Sequence, residues 1–144
     1  MQTSQFSDAS SQAGGARRSS ARLWTGRVLS GIAVLFLTFD FAVKLLRLPS
    51  TVEIMAQLGY PAAVIVPLGL VEIACLVVYL VPRTAPLGAV LWTGYLGGAM
   101  ATHVRVGNPL FSHVLFPIYI AALIWGGLWL RDARVRRFFG SRLG

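Results

Sequence analysis

Apolar residues in this chain gather into four long runs, over residues 28–48, 62–81, 86–104 and 111–130, separated by short polar links. Each run is close to the ~20 residues an α-helix needs to cross a hydrocarbon core. None alternates with the period of two that a membrane strand would show, so the pattern predicts helices rather than a barrel. Short links make consecutive helices antiparallel neighbours. The predicted fold is therefore all-α: a four-helix transmembrane bundle with a short interfacial helix between spans one and two.

That interfacial helix is predicted over residues 51–58. Ser50 and Glu53 have the spacing of a capping box, Gly59 suits a helix end, and Pro61 prevents continuation. Val52, Met55 and Ala56 give it a small apolar face for the membrane surface. The second link, VPRTAP, is tight, and Pro86 fits the first turn of the helix that follows. The third link holds the turn formers Gly107, Asn108 and Pro109. Span three is built of small residues. Gly94 and Gly98 make a GxxxG spacing with Gly97 beside them, which predicts close backbone approach by another helix, either within the chain or from a second copy.

Composition agrees with the membrane reading. Apolar residues make up 56% of the 144 and charged residues 12%, against about 25% charged in soluble domains. The net charge of +8 looks like a nucleic-acid footprint until the charges are located. Arg17, Arg18, Arg22 and Arg27 precede the first run, Arg83 lies between the second and third, and Arg131, Arg134, Arg136, Arg137 and Arg142 follow the last. The opposite side holds Arg47 and Arg105, with Lys44 nearby. This is a topology pattern, which places both termini in the cytoplasm and excludes nucleic acid as the expected partner. Residues 1–25, rich in Ser, Ala, Gly, Gln and Arg, are predicted to be a disordered tail. Residues 26–135 form the membrane domain and 136–144 a basic C-terminal tail. Arg17-Arg18 resembles a twin-arginine signal, but the run behind it is too long, carries charge and lacks an A-x-A site, so it is read as a retained span.

The charges inside the runs are the candidate chemistry. A charge near mid-membrane costs at least about 2.5 kcal/mol on insertion scales. Span one carries Asp40 near mid-depth and Lys44 one helical turn on, where spacing of four makes them neighbours. Glu72 lies near the middle of span two, while His103 and Arg105 end span three at the level of Lys44. Asp40, Lys44, Glu72, His103 and Arg105 are thus the candidate intramembrane cluster, with His113 at the start of span four. The cluster reads either as an ion-pair staple fixing helix register or as a site for a small ligand or a proton. Two histidines on neighbouring helices also raise a haem or metal reading. Their place at helix ends beside one short loop favours hydrogen bonding, and no metal site or cofactor is predicted. Walker, GxSxG, HExxH and dinucleotide motifs are missing from the sequence, and the lone Cys75 offers no dithiol pair.

The segments VKLL after an intramembrane Asp, AQLGYP, GLVEIACLVVYLVPRTAPLGAVL and TGYLGGAMATHVRVGNP follow one another in this order. Together they resemble the DoxX-like family of small bacterial four-helix membrane proteins, over about residues 27–135. Positions that fit the family pattern are Lys44, Gly59, Tyr60, Pro61, Glu72, Pro82, Arg83, His103 and Arg105. The resemblance implies residence in a bacterial cytoplasmic membrane. It also implies association with a quinone-linked oxidoreductase, without catalytic residues to carry over. The expected role is a non-catalytic membrane subunit or accessory protein of a redox complex, with the lipid bilayer, a membrane or redox protein and a second copy of the chain as candidate partners. The alternative is a small transporter or a proton- or ligand-binding protein that uses the Asp/Lys/Glu cluster.

Overall fold

The computed structural model describes residues 3–140, with side chains described over 20–138. All regular structure among the described residues is helical. The helices are α1 (Thr3–Leu45), α2 (Pro49–Gln57), α3 (Ile65–Leu80, entered through a 3-10 turn at Ala62–Val64), α4 (Ala85–Arg105), α5 (Phe116–Arg131, entered through a π turn at Leu110–Val114) and α6 (Ala133–Gly140). Of the expected disordered tail, residues 3–25 belong to helix α1, with side chains described from residue 20, and residues 1–2 lie outside the described residues. Of the expected basic C-terminal tail, residues 136–140 belong to α6 and 141–144 lie outside the described residues.

Among the described residues, three segments are long and apolar enough to cross a membrane: Ser20–Leu45, Ala62–Leu80 and Leu110–Arg131. Helix α4 has the length, but its glycines, Thr93, Thr102 and the polar tips of Trp92 and Tyr95 dilute its hydropathy. Helix α1 packs against α3 and α5, and α4 packs against the same two, so the four long helices form a ring with α1 and α4 on its diagonal. The core between them holds Ala33 and Leu37 of α1, Leu76 and Tyr79 of α3, Ala89 and Trp92 of α4, and Ile120, Ile124 and Leu128 of α5.

The ring is tight at the α6 end. A Cβ at Gly26 would stand 2.8 Å from Leu130 Cβ and 2.9 Å from the Gly127 carbonyl. One at Gly127 would run into Ser30, and one at Gly88 into the Tyr79 backbone. Backbone contact of this kind is how membrane helices associate where no hydrophobic drive separates protein from lipid. Hydrogen bonds join the same level: Tyr79 Oη donates to the Ile124 carbonyl at 3.1 Å and lies 3.1 Å from Ser30 Oγ. The Arg131 guanidinium sits 5.1 Å from the Tyr79 ring centre.

The expected packing glycines behave differently. A Cβ at Gly94, Gly97 or Gly98 would meet nothing within 4 Å. Close approach within the chain therefore does not use the GxxxG of α4, because that face has no helix against it. The contact is made instead by Gly26 and Ser30 of α1 on Gly127 of α5, and by Gly88 on α3.

The α2 end is closed by turns. Helix α2 begins at Pro49, not Thr51, with Leu48 as N-cap and no side-chain cap. Pro49 takes the first turn, where its missing N–H costs nothing, so the expected Ser50–Glu53 capping box does not form. Its C-terminus is as expected. Gly59 has φ 79°, with Gly59 N–H donating to Ala56 O and Tyr60 N–H to Met55 O, the Schellman pattern. Helix α4 ends the same way at Gly107, through Asn108 N–H to His103 O. At the other end Asp132 caps α6, accepting 2.8 Å from Arg134 N–H. The side-chain hydrogen bonds of Arg134 hold the Asp132 carboxyl below its usual range. Arg134 also donates 2.5 Å to the Pro82 carbonyl, docking α6 on the α3–α4 link.

Gly127→Leu should destabilise the protein by on the order of 3 kcal/mol through overpacking, whereas Gly98→Leu should stay within about 0.5 kcal/mol of the parent. Thermal melts in one detergent compare them, and equal losses would place a helix against both glycines.

Candidate functional site

Lys44 is the centre of the polar cluster. Its Nζ donates to Asp40 Oδ2 at 2.7 Å, one turn back on α1, and to Glu72 Oε1 on α3. Tyr95 of α4 donates its hydroxyl to the same Glu72 oxygen and lies 3.5 Å from Lys44 Nζ. Three helices are thus tied at one point. The local fold explains the meeting: Asp40 and Lys44 share a face of α1, and Gly69 lets α3 approach α1, with its Cβ position 3.4 Å from Lys44 Cβ. Burial is graded. The Glu72 side chain is 0% exposed, that of Lys44 10% and that of Asp40 34%. Glu72 Oε2 has no hydrogen-bond partner.

Beside the cluster lies a cavity of about 740 Å³. Its walls are mostly apolar: Phe36, Leu37 and Val43 of α1, Leu68, Val71 and Cys75 of α3, Val90, Leu91 and Leu96 of α4, and Phe116, Pro117 and Ile120 of α5. Helix α2 roofs it with Thr51, Ile54 and Met55, joined by Leu58 at the C-cap. Polar groups stand toward the roof, namely Asp40, Lys44, Tyr95, Tyr60, Thr102 and His103. Gly94 and Gly98 line the cavity too. This gives the α4 glycines their place: the absent side chains leave space where Cβ branches would stand. Several lining residues, Val71, Val90, Leu91, Gly94 and Gly98, are exposed, so the cavity opens on the flank between α3 and α4.

The roof is pinned by two bonds, Tyr60 to Thr102 and Arg105 to the Leu58 carbonyl. Thr102 Oγ1 donates to the Gly98 carbonyl at 3.0 Å, so its proton is committed, and Tyr60 Oη donates to it at 2.8 Å. Arg105 does not join the cluster. Its Nη2 donates 2.6 Å to the Leu58 carbonyl, and the guanidinium lies against Gly59. Its task is to satisfy the end of α2, one of the orphan carbonyls every helix leaves. His103 lines the cavity, with Nδ1 accepting from Asn108 Nδ2 at 2.8 Å. His113 packs edge-on against it, ring centres 5.7 Å apart, and its Nδ1 bonds Ser112 Oγ at 2.8 Å. Among the described residues no three His, Cys, Asp or Glu side chains converge as a metal-binding group.

The sequence reading brought Asp40, Lys44 and Glu72 together and missed Tyr95 and Thr102. Tyr95 carried a usable signal. A phenol inside an apolar helix needs a partner for its hydroxyl, and Glu72 is the acid at its depth. The fold and site define an integral membrane protein of helices, with a partly buried Asp–Lys–Glu triad beside a largely apolar cavity. Residues 28–127 match the DoxX-like family, and the chain belongs to that family. No curated protein and no solved structure matches it.

Lys44→Met leaves Glu72 and Asp40 without their shared cation and should cost about 3 kcal/mol. Adding Glu72→Gln should recover more of the loss than adding Asp40→Asn, because Glu72 is the fully buried acid. Thermal melts of the single and double variants measure this; strictly additive losses would mean the three side chains do not interact.

Proposed function

We propose that this DoxX-like protein is a membrane-embedded binding protein for a small lipid-soluble molecule with a polar head. One observation carries the reading: a cavity of about 740 Å³, within the size range of ligand sites, apolar along its walls and polar toward one end. An ion pair serving only as a staple would need no such space beside it. The flank between α3 and α4 gives a ligand a route from the hydrocarbon phase. In this reading α4 is a fourth span, its weak hydropathy tolerated because its polar groups face the cavity and neighbouring helices. The arginine distribution supports cytoplasmic termini in a bacterial cytoplasmic membrane, which reporter fusions at Gly144 and in the 105–109 loop would read directly.

Native mass spectrometry of the protein from bacterial-lipid nanodiscs should find a small amphiphile bound in simple stoichiometry. Gly98→Leu, which projects a side chain from the cavity wall, should lose it while the protein stays folded. A parent protein without an adduct, or a Gly98→Leu protein that keeps it, would reject the reading.

A second reading, the accessory subunit of a quinone-linked redox complex, has one observation in its favour. Gly97 and Ala101 lie on a small-residue surface of α4, and a Cβ at Gly97 would have no neighbour within 4 Å. A partner helix fits such a surface. Gly97→Leu should then release a reproducible partner from mild-detergent preparations, and a partner held equally by both proteins would place the contact elsewhere.

A further inference from the structure

Two carboxyl groups, Asp40 and Glu72, share the one ammonium of Lys44. Lys44 is already occupied: Asp40, Glu72 and the Tyr95 hydroxyl surround its Nζ. Its side chain is 10% exposed, against 34% for Asp40. The accessible charge at the cavity wall is thus the carboxylate, not the ammonium. Asp40 Oδ1 accepts no hydrogen bond among the described residues, since Lys44 uses Oδ2. The titratable groups around this oxygen are Lys44 on its own helix, Glu72 and Cys75 of α3, Tyr95 and His103 of α4, and Tyr60 below the roof. The residues of α5 that line the cavity carry no charge.

We propose that the ligand is an organic cation: an amphiphile whose positive head lies at Asp40 Oδ1 and whose apolar body fills the cavity. The inference rests on the binding-site reading above and narrows it to one chemical class. A cation at this position pairs with Asp40 Oδ1, the oxygen that Lys44 leaves without a hydrogen bond at the cavity wall. The rings are placed for the same class. Phe36 lies one helical turn before Asp40 on the same face of α1, and it meets Phe116 edge-on with centres 5.2 Å apart. An acid beside aromatic faces recognises an organic ammonium or phosphonium by ion pairing and by attraction to ring quadrupoles. It offers nothing comparable to an anion, and to a neutral head only a hydrogen-bond acceptor.

Equilibrium dialysis in nanodiscs of zwitterionic lipid tests the charge selectivity. The probes are tetraphenylphosphonium, tetraphenylborate as an anion of similar size and shape, and neutral triphenylphosphine oxide. The phosphonium should bind at least tenfold more tightly than the neutral probe, and the borate should not bind above the empty-nanodisc level. Asp40→Asn should abolish the preference of cation over neutral probe, Asp40→Glu should retain it, and Gly98→Leu should weaken both. The contrast among probes on the unaltered chain decides even where Asp40→Asn lowers stability. A neutral or anionic probe binding as tightly as the cation overturns the cation inference and leaves the binding site standing. Failure of every probe to bind overturns both.

Discussion

One lysine holding two acids across two helices is the constraint on which the rest of this protein depends. Lys44 has three N–H donors, aimed at Asp40, Glu72 and the Tyr95 hydroxyl. In water such a cluster would contribute little, since exposed ion pairs typically contribute 0–1 kcal/mol. Inside an apolar bundle each member makes the others tolerable, and removing any one strands the rest. The triad therefore fixes the rotation of α1 and the relative depth of α1, α3 and α4. The cavity follows from that arrangement, because α1 and α4 are opposite members of the ring and nothing but side chains reaches between them at this level.

The two ends of the bundle solve different problems. Toward α6, Gly26, Gly88 and Gly127 let backbones touch, and Ser30 and Tyr79 bond across the contact. Toward α2, the helices are held by long side chains, Lys44 to Glu72 and Tyr60 to Thr102, that reach over a gap instead of closing it. A tight end anchors the helices, so the loose end can keep an opening without collapsing. The roof is held by the same economy of contacts: Arg105 satisfies the last turn of α2, and the Tyr60 hydroxyl ties the following residues to α4.

The features legible in the sequence were those set by local rules. Apolar runs gave the long helices, Gly59 and Gly107 gave two helix ends, and a spacing of four gave the Asp40–Lys44 pair. The misreadings came where tertiary context decides. GxxxG marks a smooth helix face, but it does not say whether a helix or an empty space lies against it. Gly94 and Gly98 border space, and Gly26 with Ser30, a less conspicuous small pair on α1, makes the backbone contact. Arg105 was grouped with Lys44 by depth alone, yet depth does not fix direction, and its side chain turns to the α2 carbonyls. The start of α2 was misplaced because a proline at a first turn competes with a capping box one residue later, and the proline prevails.

Helix α4 shows why these features belong together. It is the one long helix without a segment apolar enough to cross a membrane among the described residues, and it contributes the largest share of the cavity lining. Both properties have one cause. Its glycines lower hydropathy and make room, and Tyr95, Thr102 and His103 lower it further while supplying the polar groups at the roof end. A helix designed only to sit in lipid would replace these residues with Leu, Val or Ile, and would gain insertion energy by doing so. The same substitutions would fill the space beside Asp40, remove the hydroxyl that holds Glu72, and release Tyr60 from the roof. The marginal hydropathy of α4 is therefore the physical counterpart of an open, polar-tipped cavity, since one set of residues cannot maximise contact with lipid and also leave space for a ligand.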